Sequence, residues 1–160
     1  MKKNLLLSVL LLLSLTIVLS SCGGSSDTPQ PTASDLGTFL GSIQVSDDPQ
    51  TDLGYINNAK VSVSRKGSDI TVKIIGNPGF DREYTGSLIS EAPQSGIYSF
   101  SLKQQTKPST KTISGQLGII GNSLSFGVNS TADNVSAIDN GQTITLLGKI
   151  NMIGSNMVRQ

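Results

Sequence analysis

Two acidic stretches gather five of the eleven carboxylates in this chain, the side chains through which it could do chemistry. Asp47-Asp48-Pro49-Gln50-Thr51-Asp52 gathers three carboxylates, the hard oxygen ligands a calcium ion takes. It lacks the Asp-x-Asp-x-Asp-Gly alternation and closing Glu of an EF-hand loop, which favours a solvated acidic turn. Asp81-Arg82-Glu83-Tyr84 sets two carboxylates beside an arginine at the start of an alternating segment. Proximity in sequence does not create the separation of several ångströms that paired carboxylates need for glycoside hydrolysis, so surface ion pairing is the expectation. The chain has no histidine, and nucleophilic triads that use imidazole as general base are excluded with it. Its one cysteine, Cys22, cannot build a zinc site from Cys and His ligands. No catalytic residue and no cofactor or metal site is expected.

Cys22 has a different use. Lys2 and Lys3 precede an apolar run from Leu5 to Leu19 broken only by Ser8, Ser14 and Thr16, the pattern of a secretory signal peptide. As a helix this run would rise about 22 Å, short of the ~30 Å hydrocarbon core of a bilayer. Leu19-Ser20-Ser21-Cys22 resembles the lipobox of bacterial lipoproteins, in which small residues precede a cysteine that is acylated and becomes the mature N-terminus. A lone exported thiol has no intramolecular disulfide partner, and lipidation accounts for it. Burial of acyl chains at ~0.8 kcal/mol per methylene makes a multiply acylated anchor stable.

Three segments follow: a signal peptide over 1–21, lipidated Cys22 with a Gly-, Ser- and Pro-rich linker over 22–35, and one domain over 36–160. The linker reads as a flexible tether. By the resemblance, Gly23 after the cysteine implies a lipid-anchored protein of the bacterial outer membrane. Without the leader the chain keeps ten basic and eleven acidic side chains, too balanced to steer it to nucleic acid. Lys103, Lys107 and Lys111 form a small basic cluster that reads as a solvated loop.

The domain must position everything else, and its pattern has period two. Ala59, Val61 and Val63 alternate with polar residues, as do Ile70, Val72 and Ile74, and Lys66-Gly67-Ser68-Asp69 between them signals a β-hairpin. Tyr98, Phe100 and Leu102 alternate likewise, and so do Leu124, Phe126 and Val128. Gly121-Asn122 marks a second hairpin, and Asn140-Gly141 precedes a last strand over about 143–152. Further strands are expected over 37–45 and 84–90, and 131–138 as a short helix or strand. The total is eight strands. They fit an antiparallel meander closed into a barrel, which removes exposed edges, with a two-sheet β-sandwich as the alternative.

With its lipobox, its opening Gly37-Thr38-Phe39-Leu40-Gly41 and its meander length, the chain resembles the small calycin-like, or lipocalin-like, lipoproteins common in Bacteroidetes. Phe39 stands where true lipocalins carry the tryptophan of Gly-x-Trp. The resemblance implies a barrel with an interior that either is filled or holds one small ligand. Phe39, Ile43, Tyr98, Phe100, Leu117, Phe126, Leu146 and Ile150 are the residues expected to point into it. The functional expectations are a non-catalytic, membrane-anchored binding module for a small apolar or amphipathic ligand, or an interaction protein meeting another envelope component through loops or a strand edge.

Overall fold

The computed structural model describes residues 34–48 and 50–160. The leader over 1–21, Cys22 and the linker up to residue 33 lie outside the described residues. Eight strands follow in chain order: β1 (Ser34–Asp47), β2 (Leu53–Lys66), β3 (Asp69–Asn77), β4 (Phe80–Ala92), β5 (Ile97–Lys107), β6 (Lys111–Ile120), β7 (Ser123–Asp139) and β8 (Gln142–Arg159). A single 3-10 turn at Pro93–Ser95 joins β4 to β5. Each strand pairs antiparallel with the next, and β8 pairs with β1 to close the barrel. The barrel, not the sandwich, is the fold. The segment 131–138 is strand, the second half of β7.

An uninterrupted meander puts alternate connections at opposite ends. At the entry end lie the start of β1, the β2–β3, β4–β5 and β6–β7 connections, and the end of β8. Backbone bonds tie these together: Gly121 N–H to Gly96 O at 3.0 Å, Arg159 N–H to Asn122 O at 2.8 Å, Gln160 N–H to Thr38 O at 2.8 Å and Leu88 N–H to Ser68 O at 2.7 Å. The far end carries the other four connections.

Strict alternation cannot run through strands this long and this strongly coiled, and bulges reset it. On β2 the inward residues are Val63, Val61 and Ala59, then Ile56 and Gly54; the phase changes at Asn58, which has φ 50°. On β7 they are Leu124, Phe126, Val128 and Ser130, then Asp133, Val135 and Ala137, with Ala132 at φ 54° between them. On β8 the change falls at Asn156, φ 52°. Each is one left-handed residue in a strand, a state asparagine tolerates better than most. The β7 bulge also turns the β7–β8 hairpin: β1 and β8 lie between β7 and β2 in barrel order, yet Ile138 pairs with Tyr55 of β2. The hairpin therefore crosses the far mouth, with its own Val135, Ala137 and Leu146 turned inward and buried.

Candidate functional site

The strand register assembles the interior in rows. Leu88, Phe100, Leu117, Phe126, Gly154, Ile43 and Ile56 are successive partners across six pairings, one row running round the barrel. Gly154 is the gap in that row: a Cβ there would stand 2.3 Å from Phe126 Cε1, so the missing side chain is what admits the ring. Gly86 is held for another reason, since its Cβ would meet the Ser101 carbonyl oxygen at 2.0 Å.

Seven of the eight residues expected to point inward are buried in this one core. Phe39, Ile43, Phe100 and Ile150 are 0 % exposed, Leu117 and Leu146 1 %, and Phe126 5 %. Tyr98 is half-buried at the edge, its ring stacked on Phe100 with centroids 6.3 Å apart. A side chain facing even a water-sized void would register exposure to it. These residues touch one another instead, as close-packed interiors do. The interior is filled.

One part of the buried wall is polar. Near the far end Tyr84 pairs in register with Gln105, and Gln105 with Lys111. Asp133, on the resumed phase of β7, accepts bonds from Lys111 Nζ at 2.9 Å, Ser130 Oγ at 3.0 Å and its neighbour's Asn134 N–H at 2.9 Å. Arg82 Nη2 lies 3.8 Å from the same carboxylate and donates to Asn134 O at 2.9 Å, with its guanidinium 5.1 Å from the Phe80 ring centroid. Burial works to raise the Asp133 pKa, but the bonds from Lys111, Asn134 and Ser130 outweigh it and hold the carboxyl below its ordinary value. Such a group is a poor base at neutral pH. Burial pushes the Tyr84 phenol well above its ordinary value, and among the described residues its hydroxyl reaches Met152 Sδ alone, at 3.9 Å. Gln105 is 0 % exposed, and among the described residues neither polar atom of its amide has a hydrogen-bond partner.

The acidic stretches singled out in the sequence resolve into local pairs. Asp47 accepts from the Asp52 N–H and from Thr51 Oγ1, both at 2.8 Å, and these bonds, the backbone one foremost, lower its pKa. Asp48 pairs with Lys149 at 3.3 Å. Asp81 pairs with Lys107, which lowers its pKa, while Glu83 takes Thr106 Oγ1 at 2.9 Å. No three carboxylates converge to hold a metal among the described residues. Of the basic cluster, Lys107 and Lys111 are spent on Asp81 and Asp133, and Lys103 is exposed.

The outer wall offers shallower features. A depression of about 720 Å³ crosses β5 to β8, with Ser101, Lys103, Gln116, Asn129, Asn151 and Ile153 among its lining. Among the described residues ten large apolar side chains are exposed, including Ile120 at 67 %, Leu147 at 64 % and Val158 at 62 %. Sequence reasoning missed the polar cluster and the exposed set alike. Gln105 escaped because the 100, 102, 104 alternation points to Gln104; irregular register after Leu102 turns Gln105 inward instead. No family model, no characterised protein and no solved structure matches this chain.

Proposed function

We propose that this chain is a lipid-anchored, non-catalytic protein of the bacterial outer membrane that works through the outside of its barrel, contacting another envelope component. The anchor is Cys22, read from the leader and the small residues before it. The observation that carries the rest is the filled interior: with Phe39, Ile43, Phe100 and Ile150 at 0 % exposure and the β7–β8 hairpin across the far mouth, the surface left for contacts is external. Such a barrel is a rigid support for loops and wall, and Asp133 and Tyr84 serve to hold it together.

A small amphipathic ligand inside the barrel is the second reading. The unpaired Gln105 amide above an apolar column favours it, and it requires Phe100 or Phe126 to swing aside.

Native mass spectrometry of the full-length protein, extracted from bacterial membranes, tests both. The expected species begins at Cys22, carries a diacylglyceryl group and amide-linked acyl chain, and holds nothing else. An unmodified Cys22 or a retained leader sinks the anchor. A reproducible small adduct, lost in a folded Phe126→Lys variant, replaces the first reading by the second.

A further inference from the structure

We infer that the entry end of the barrel is a lipid-contacting rim, resting on the bilayer surface through Leu40, Ile89, Ile97, Ile120 and Val158. The inference rests on the lipid anchor at Cys22 proposed above and adds an orientation and a second membrane contact to it.

Among the described residues, half of the exposed large apolar side chains lie at this end. Ile120 is 67 % exposed, Val158 62 %, Ile89 55 %, and Leu40 and Ile97 40 % each. Each sits within two residues of a backbone bond that knits the end together: Ile97 beside Gly96, Ile120 beside Gly121, Val158 beside Arg159, Ile89 beside Leu88, and Leu40 two residues from Thr38. Register makes four of them one row. Leu40 pairs with Val158, Val158 with Ser123, Ser123 with Ile120, and Ile120 with Ile97. At ~4.8 Å per strand this row runs about 19 Å round the outside. Further along β5 and β6 the outward positions are small or polar, as at Ser101, Ser114 and Gln116, so on those two strands the exposed large apolar residue falls at this end, whereas β8 also exposes Leu147 and Ile153. A contiguous exposed apolar surface marks a contact site.

The occupant follows from where the chain enters. Residues 23–33 alone separate Cys22 from Ser34, the first residue of β1, and at ~3.3–3.6 Å per residue they span at most about 40 Å. The chain leading from Cys22 joins the domain at this end, which makes it the end nearest the anchor along the chain. Charge agrees with that. At the entry end Glu91 is neutralised by Arg65, and Lys66 and Arg159 balance Asp35 and Asp69. At the far end Asp48 and Asp81 are paired with Lys149 and Lys107, but Asp47, Asp52, Glu83 and Asp139 have no salt-bridge partner among the described residues, a face that anionic headgroups repel. The lipid anchor raises the local concentration of bilayer around the rim, so side chains too few to bind a membrane alone suffice to orient the domain.

Depth-dependent fluorescence tests this on the lipidated full-length protein in vesicles of phosphatidylethanolamine and phosphatidylglycerol. With Cys22 acylated, a single new cysteine takes the fluorophore: Asn122→Cys at the entry end, Ser109→Cys at the far end. A headgroup-borne quencher is expected to quench the first at least three-fold more than the second, and the difference is expected to vanish when Ile120→Ser and Val158→Ser are added. Both are surface positions, and an unchanged circular dichroism spectrum confirms folding. Equal quenching at the two ends, or a difference that survives the serine pair, overturns the inference. So does a vesicle-bound dimer that shields Asn122→Cys from the quencher, which makes the rim a contact between copies. Protein that fails to stay on the vesicles at all counts against the anchor itself, a separate result.

Discussion

Replacing Gln105 by methionine is expected to stabilise the protein. The Gln105 side chain is 0 % exposed, and neither its amide oxygen nor its amide nitrogen finds a partner among the described residues. A buried polar group left unpaired costs about 1–3 kcal/mol relative to its hydrated state in the unfolded chain. Methionine has nearly the same length, bends into irregular space and needs no hydrogen bond. Gln105→Met should therefore raise the unfolding free energy by about 1–3 kcal/mol, and the melting temperature by roughly 4 °C for each of those. Urea denaturation followed by circular dichroism reads the change, with a constant m-value as the check that the unfolded reference is unaltered. Gln104→Met is the control, because Gln104 is exposed and such surface changes stay within about 0.5 kcal/mol. A loss of 1 kcal/mol or more in Gln105→Met refutes the reasoning, since it would mean the native amide is paired and its bonds have been removed.

Three further perturbations follow from the same interior. Asp133→Asn weakens the bond to Lys111 Nζ and removes a charge facing Arg82, at a cost of about 1–3 kcal/mol at neutral pH. Because the folded pKa of Asp133 is lowered, its contribution is complete above the ordinary carboxyl range and is lost as pH falls through the folded value. Acid denaturation below about pH 4 should accordingly be shallower in the variant. Tyr84 behaves oppositely: its folded pKa is raised, so stability is full below about pH 10 and falls above it, by up to ~1.4 kcal/mol per pH unit. Tyr84→Phe should remove that slope while changing neutral-pH stability by less than about 1 kcal/mol, a comparison that denaturation at pH 8 and pH 11 supplies. Gly154→Ala pushes a methyl group into the Phe126 ring and should cost about 1–3 kcal/mol, and Gly154→Ala with Phe126→Leu should recover part of it.

The alternation of Ala59, Val61 and Val63 and of Ile70, Val72 and Ile74 made the first hairpin legible, because a strand sorts its side chains by parity and one face must be dry. Gly121-Asn122 did the same for the β6–β7 turn, which needs a residue at positive φ; Gly121 has φ 57°. Seven of eight inward residues were readable for that reason. Ile56, Gln105, Asp133 and Met157 were not, since each lies beyond a change of phase whose position depends on how two distant strands meet.

What the sequence by itself determined is therefore the strand count, the parity of each uninterrupted run and the all-β class. Only the tertiary structure decided that the meander closes, that the interior is full, and that Asp133, Lys111 and Arg82 share one site. The physical reason is range. Parity is a property of neighbouring peptides, whereas closure, bulge placement and the gap at Gly154 are set by side chains more than a hundred residues apart in some pairings, such as Ile43 with Gly154. A row of exposed residues round one end of a barrel is invisible until strands far apart in sequence are laid side by side.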